Sequence, residues 1–186
     1  GHADLALALT LSSDVYVVYG SDAPSDVDLG ALGTRGFRVT RAPGTSLNDL
    51  AGVGDMNADG YADFAIGAPY VSNNGREWSG STYVIFGRLD STDIDVDALG
   101  ANGFRIDGAA PRDKSGWSLA GVGDMNADGR PDLAIGAPRA GGSTYVVFGR
   151  PNATNIDLDI LGTQGFRIDG RAGSIDHYGL SVAGVG

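Results

Sequence analysis

The chain has 186 residues, 31 of them glycine, a net charge of −10 and no cysteine. The acidic charge argues against a nucleic-acid partner, because phosphate contacts need clustered Lys and Arg. Without cysteine there can be no disulfide. No apolar run approaches the roughly 18 residues of a membrane span, so we expect no membrane insertion. The glycine content predicts an all-β fold of short strands and tight turns.

A repeat organises the chain. VYVVYG, TYVIFG and TYVVFG begin at Val15, Thr82 and Thr144, spaced 67 and 62 residues apart. The decapeptide AGVGDMNADG occurs unchanged at 51–60 and 120–129, and its first four letters return at 183–186. A fixed period of this length is typical of solenoids and propellers. The chain therefore holds about three units.

Four strands are predicted within one unit, from alternation and from β-branched or aromatic content. In the last full unit they cover residues 117–123, 132–138, 143–149 and 165–170. Four antiparallel strands make one blade of a β-propeller. We expect the first two, rich in Ala and Gly, to lie where neighbouring blades approach closely.

The predicted organisation is one propeller segment of about three blades. Residues 1–49 form a partial blade that lacks its first strand, 50–115 and 116–177 form two blades, and 178–186 form a lone first strand. Between the third and fourth strands, Asp28, Asp95 and Asp157 alternate with apolar residues. We interpret these carboxylates as a solvated edge that discourages sheet-to-sheet pairing.

Two nine-residue loops carry the specific chemistry: DMNADGYAD at 55–63 and DMNADGRPD at 124–132. Side-chain oxygens fall at positions one, three, five and nine, and glycine at position six permits a sharp bend. This spacing suits calcium, which prefers hard oxygen ligands. The loops lack the glutamate at position twelve and the following helix of an EF-hand. The alternative is an Asp-rich turn that binds nothing.

The motifs around these loops resemble the FG-GAP repeat of integrin α-subunit propellers and their bacterial relatives. GAP stands at 67–69 and 136–138, and FG at 86–87 and 148–149. The resemblance implies a structural calcium loop between the first two strands of a blade, on the face opposite the ligand-binding loops. It implies two calcium sites per chain, formed by Asp55, Asn57, Asp59, Tyr61 and Asp63, and by Asp124, Asn126, Asp128, Arg130 and Asp132.

The ends of the chain suggest self-association. Asp4 aligns with Asp63 at position nine of a loop whose earlier positions are missing, and Gly186 aligns with the residue before a loop. We therefore expect a homodimer that exchanges strands and closes a six-bladed ring. The alternative is a piece of a longer propeller.

The expected function is a non-enzymatic, extracellular or cell-surface module that binds a protein or glycan. The alternatives are an engineered or truncated piece that binds only calcium, and an accessory domain of a phospholipase-type enzyme. His177 beside Asp176 could act as a base, but no nucleophile motif accompanies it, which favours a surface loop. Trp78 and Trp117 could stack on sugars, and packing between blades is the preferred interpretation.

Overall fold

The computed structural model describes residues 2–8, 14–23, 25–40, 47–139, 142–171 and 177–185. Within these ranges the chain forms β-strands and short 3-10 turns and contains no α-helix, which confirms the all-β prediction. The strands are β1 (Leu5–Ala8), β2 (Val15–Val18), β3 (Gly36–Thr40), β4 (Asp49–Gly54), β5 (Asp63–Ala68), β6 (Ser81–Ile85), β7 (Ile94–Asp95), β8 (Gly103–Asp107), β9 (Ser118–Gly123), β10 (Asp132–Ala137), β11 (Ser143–Val147), β12 (Ile156–Asp157) and β13 (Gly165–Asp169).

The chain divides into two compact units. The first comprises residues 1–45 and 88–99 and carries one sheet in the order β1-β2-β3-β7. Its core includes alternate residues of β2 and β3, because successive side chains of a strand point to opposite faces. These buried residues are Val15, Val17, Phe37 and Val39. Within the described residues strand β1 pairs with β2 alone, and its Leu5 is 57% exposed.

The second unit comprises residues 46–87 and 100–186 and carries two sheets. Their strand orders are β12-β8-β6-β5-β4 and β13-β11-β10-β9. Each contains the four antiparallel strands that the repeat predicts, in the orders β4-β5-β6-β8 and β9-β10-β11-β13, and this is the arrangement of a propeller blade. In the first of these sheets a short parallel strand, β12, joins β8 from the following repeat.

Small residues bring neighbouring blades of the second unit together, as predicted. A Cβ added to Gly121 of β9 would lie 2.7 Å from the carbonyl oxygen of Gly52 in β4. That distance is shorter than van der Waals contact, so any larger side chain would push the strands apart. Outside this contact, the apolar side chains of the two blades form one core.

The aspartates between the third and fourth strands of each repeat have a different role in the structure from the one that the sequence suggests. The carboxylates of Asp28, Asp95 and Asp157 each accept a hydrogen bond from the backbone N–H two residues later, at 2.9 to 3.0 Å, and thereby cap a 3-10 turn. Asp157 also pairs with β8 as part of β12 and accepts a hydrogen bond from Arg76 at 2.7 Å. For Asp95 and Asp157 the idea of a solvated edge that discourages pairing is therefore wrong, because both lie in short parallel strands that pair with a neighbouring strand. Asp28 caps a turn and is exposed, and it belongs to no strand of the described residues.

The predicted lone strand at the end of the chain forms no β-ladder within residues 177–185. This segment lies against β9, because the carbonyl oxygen of Gly179 accepts a hydrogen bond from Ser118 Oγ at 2.8 Å and Gly184 approaches the Gly121 carbonyl. A ladder needs a second strand beside it, and none of the described residues forms one there. Gly186 lies outside the described residues.

Candidate metal loops

The two candidate loops connect β4 to β5 and β9 to β10. Each turns sharply in the middle, where Ala58 and Ala127 adopt positive φ angles of 62° and 60°. The glycines at position six follow with φ angles of 95° and 88°. A left-handed alanine costs about 1 kcal/mol, so the rest of the loop must stabilise the turn.

Side-chain hydrogen bonds to the loop backbone provide that stabilisation. In the first loop Asp55 accepts hydrogen bonds from the N–H groups of Asp59 at 3.0 Å and Gly60 at 2.9 Å, while Asp59 accepts one from Tyr61 at 2.9 Å. Asn57 accepts a bond from the N–H of Asp59 and donates one to its carboxylate. The loop therefore brings three of its predicted ligands into one network.

The second loop repeats this network. Asp124 accepts from the N–H groups of Asp128 at 3.1 Å and Gly129 at 2.8 Å, and Asp128 accepts from that of Arg130 at 2.9 Å. Asn126 bonds with Asp128 in the same two ways as its counterpart. Identical sequence thus gives matching geometry in two different blades.

The aspartate at position nine is buried at the start of the second strand in each blade. Asp63 is 2% exposed and accepts hydrogen bonds of 2.8 Å from the N–H groups of Met56 and Gly87. Asp132 accepts equivalent bonds from Met125 and Gly149. Burial raises the pKa of Asp63 to about 7, although both backbone hydrogen bonds oppose this effect. Among the described residues, neither carboxylate has a Lys, Arg or His partner within ion-pair distance.

Asp4 in the first unit makes the matching contact, as its alignment predicts. Its Oδ1 accepts a hydrogen bond from the N–H of Gly20 at 2.8 Å. Gly20 corresponds in the repeat to Gly87, which bonds to Asp63. The aspartate at position nine therefore anchors the end of the third strand in all three repeats.

The chemistry of the loop oxygens fits a calcium ion. A carboxylate oxygen has two lone pairs, and the hydrogen bonds to Asp55 and Asp63 use one on each oxygen. Lone pairs therefore remain for a hard cation. Across the described ranges, however, no group of three or more His, Cys, Asp or Glu side chains is gathered closely enough to hold a metal. Asp63 accepts its hydrogen bonds from the N–H groups of Met56 and Gly87, whereas Asp55 and Asp59 accept theirs from the N–H groups of residues 59–61.

The two loops differ in their surroundings. Met56 is fully buried, and its carbonyl oxygen accepts a hydrogen bond of 2.7 Å from the N–H of Arg150 in the following blade. Met125, at the same loop position, is 53% exposed. Position seven is Tyr61 in the first loop and Arg130 in the second. A hydrogen bond from Asn126 lowers the pKa of Asp128, and the positive charge of Arg130 adds to that effect.

The remaining candidates lie at the opposite ends of the strands. His177 is exposed, and its Nδ1 lies 2.7 Å from the carbonyl oxygen of Pro138. Trp117 is half-buried and packs edge-on against Tyr70 at 6.2 Å between ring centroids, which agrees with the packing interpretation. Trp78 is 44% exposed, with the Arg112 guanidinium 5.7 Å from its ring centroid. Asp176 lies outside the described residues.

A cavity beside Trp117 was not foreseen from the sequence. It involves residues of two successive repeats, and the only signal for it is an arginine, Arg139, where the preceding repeat has Tyr70.

In the described ranges, the structure contains no helix with the length and apolar character of a membrane span.

Comparisons with known proteins agree with the repeat. The family model described as FG-GAP repeat matches residues 49–85 and 115–149. Integrin alpha-7 of Rattus norvegicus is 34% identical over 150 residues, covering 80% of this chain and 12% of that protein. Integrin alpha-6 of Gallus gallus is 30% identical over 131 residues, covering 70% of this chain and 11% of that protein.

A second group of relatives carries an enzyme name. Phosphatidylinositol-glycan-specific phospholipase D of Bos taurus is 40% identical over 117 residues, covering 58% of this chain and 14% of that protein. The chain thus spans only about one eighth of the length of the relatives it matches. Both matched segments contain a loop and the strands on either side of it. The chain therefore contains FG-GAP repeats of the integrin-like kind, arranged as β-propeller blades.

Proposed function

We propose that this chain is a calcium-binding, non-enzymatic propeller module whose two loops each take one calcium ion. The observation that carries the proposal is the pair of loops with the same hydrogen-bonded geometry, each ending in a buried aspartate without a cationic partner. Asp55, Asn57, Asp59 and Asp63 would hold one ion through side-chain oxygens, together with the Tyr61 carbonyl. Asp124, Asn126, Asp128, Asp132 and the Arg130 carbonyl would hold the other.

Bound calcium would stabilise the folded state. Carboxylates a few ångströms apart repel one another by about 1 to 4 kcal/mol per pair in water or near a surface. A divalent ion removes this repulsion while the loop amides keep the oxygens oriented. Because each loop joins the two inner strands of a blade, the ion would stabilise the connection between these strands.

Thermal unfolding tests this role. We expect the melting temperature to fall when calcium is chelated with EGTA and to recover when calcium is added back. Saturation at 100 times Kd adds about 2.7 kcal/mol per site. Magnesium at the same concentration is the control, since it demands tighter octahedral geometry and retains water. An unchanged melting temperature in EGTA would contradict a structural calcium.

The module is proposed to work at the cell surface or outside the cell by binding a protein or glycan. Similarity to integrin alpha-7 and alpha-6 over most of the chain supports this class. An array of extracellular proteins and glycans, probed with calcium-loaded protein, tests it. Saturable binding of one class supports the proposal, and absence of binding supports the alternative of a structural piece with no ligand beyond calcium.

A role within a phospholipase-type enzyme is the second candidate, favoured by the 40% identity to a phosphatidylinositol-glycan-specific phospholipase D. The expected result for the present chain is no hydrolysis of a phosphatidylinositol-glycan substrate. Turnover by the purified chain would overturn the non-enzymatic proposal.

We propose that the partner is a second copy of this chain and that the two copies exchange strands. Two features support it: among the described residues strand β1 pairs on one edge only, and residues 178–185 form no ladder although they lie in the place of a first strand. Light scattering should give a mass near twice 19.0 kDa. Val182→Pro, which removes a backbone donor from the exchanged segment, should shift the mass towards the monomer. A monomeric wild-type chain would contradict the exchange.

A further inference from the structure

A cavity of about 390 Å³ opens between two successive repeats of the second unit. Among the described residues it is lined by Lys114, Trp117, Pro138, Arg139, His177 and Leu180. Its volume lies within the range of small-molecule sites, roughly 300 to 1,000 Å³. It is built at the ends of the strands remote from the two metal loops, because Pro138 follows β10 whereas the loop precedes it.

The preceding repeat shows why the cavity exists. There, Tyr70 packs against Trp117, and the Lys114 ammonium lies 4.9 Å from the Tyr70 ring centroid. One repeat later, Arg139 takes the place of Tyr70, and Leu180 takes the place of Trp117. The rings of Tyr70 and Trp117 fill the space between successive repeats at the first position. At the equivalent position one repeat later, Arg139 and Leu180 leave that space open.

The lining is basic although the chain is acidic. Lys114 and Arg139 have no ion-pair partner within 4 Å among the described residues, and the only hydrogen bond of the Arg139 side chain there is a long one, 3.4 Å, to the Arg112 carbonyl. The nearby acid is Asp113, whose carboxylate accepts a hydrogen bond from the N–H of Ala110 at 3.0 Å. Two positive side chains therefore face the cavity with spare donors.

His177 adds a third polar group in a defined orientation. A carbonyl oxygen can only accept, so Nδ1 carries the proton in the 2.7 Å contact with Pro138. Nε2 is left for other partners. Lys114 is held at a positive φ of 56°, a backbone conformation that lysine rarely adopts. That backbone places its ammonium 5.4 Å from the centroid of the Trp117 ring.

We propose that this cavity binds a small organic anion consisting of a carboxylate attached to a flat apolar ring. The carboxylate would meet Arg139, whose planar guanidinium matches it with two parallel donors, and Lys114 would add charge. The ring would occupy the apolar space beside Trp117, Pro138 and Leu180, where the preceding repeat places the Tyr70 ring. The site goes beyond the calcium proposal and does not depend on it.

Titration calorimetry with 2-naphthoate tests the class of ligand. The expected result is saturable binding of one molecule per chain in calcium buffer, and at least tenfold weaker binding of 2-naphthamide, which has the same ring but no charge. Equal binding of the two compounds, or no saturable binding of 2-naphthoate, would overturn the proposal.

Substitutions at Arg139 locate the site. Arg139→Tyr copies the residue of the preceding repeat, so it should fill the cavity and abolish binding without lowering the melting temperature. Arg139→Gln keeps the cavity and should weaken binding at least tenfold. Arg171→Gln, which removes an exposed charge outside the lining, is the matched control and should leave binding unchanged. Undiminished binding to the Arg139→Tyr variant would place the ligand elsewhere and refute the assignment.

Discussion

The two blades of the second unit carry the same sequence motifs in different surroundings. Met56 and Met125 occupy the same loop position, yet the first is fully buried and the second 53% exposed. Phe104 and Phe166 occupy the same position in the strand GFRID, and they are 0% and 37% exposed.

The difference comes from the repeat that follows. Strand β8 is covered by β12, and the loop at Met56 is covered by Arg150, both of which belong to the next repeat. Within the described residues β13 has no such neighbour. Blade stability is therefore largely a property of the interface between repeats, as in other repeat proteins.

The largest expected contrast is between Phe104→Ala and Phe166→Ala. A fully buried phenylalanine replaced by alanine costs about 3 to 5 kcal/mol, because a cavity is left behind. Phe166 is 37% exposed in the single chain, so its replacement should cost less than about 1.5 kcal/mol under conditions in which the chain is monomeric. Urea unfolding of the two variants measures both losses. Equal losses would mean that the following repeat does not determine burial.

The loop methionines should show a smaller contrast in the same direction. We expect Met56→Ala to lower the free energy of unfolding by about 2 to 5 kcal/mol. Met125→Ala should change it by about 0.5 kcal/mol or less, as is usual at the surface. The same urea series measures both. A larger loss at Met125 would indicate that something covers the second loop.

A charge pair between the two repeats should give a still smaller, pH-dependent effect. Burial opposes ionisation of Asp157, but hydrogen bonds from Arg76 and from the N–H of Asp159 outweigh it and lower the pKa of Asp157. A lowered pKa stabilises the fold above the ordinary value of 3.8, and this contribution is lost as pH falls through the lowered pKa.

Arg76→Ala should therefore cost up to about 1 kcal/mol at pH 6 and lose its effect in acid. Urea unfolding at several pH values measures the difference. Arg112→Ala is the control, because the Arg112–Glu77 pair is about half exposed at both ends. A loss from Arg76→Ala that persists unchanged at pH 2 would show that packing, and not charge, is responsible.

The smallest contrast concerns the affinities of the two loops for calcium. Arg130 places a positive charge beside Asp128, whereas the first loop has neutral Tyr61 at that position. Arg130→Tyr should tighten calcium binding to the second loop by about two- to fivefold, a change typical of exposed charges. Calorimetric titration of an Asp59→Ala background, in which only the second loop is intact, isolates this change. Weaker binding after the substitution would contradict the electrostatic argument.

The sequence predicts much of this fold because its signals are local. Alternation in TYVVFG and GFRID gives the strands, and the repeated decapeptide gives the loops with Asp55, Asn57 and Asp59 in one network. The burial of Met56 and the exposure of Met125 cannot be predicted that way, since the two residues lie in identical decapeptides. Their difference depends on a neighbouring repeat.

Two other features escaped prediction for a related reason. Alternation places Asp157 at a solvated edge, because it does not reveal that the chain turns there and that Arg76 reaches it from another repeat. The substitution of Tyr70 by Arg139 is visible on alignment of the repeats, but its consequence depends on the packing against Trp117. Contacts between repeats therefore mark the limit of the sequence argument.

The most direct test of the central claim is the number of calcium ions bound per chain, measured by titration calorimetry on the wild type and on Asp59→Ala and Asp128→Ala. Asp97→Ala, an exposed aspartate outside both loops, is the control. We expect two ions for the wild type and for the control, and one for each loop variant. Wild-type protein that binds no calcium, or loop variants that still bind two ions, would contradict it.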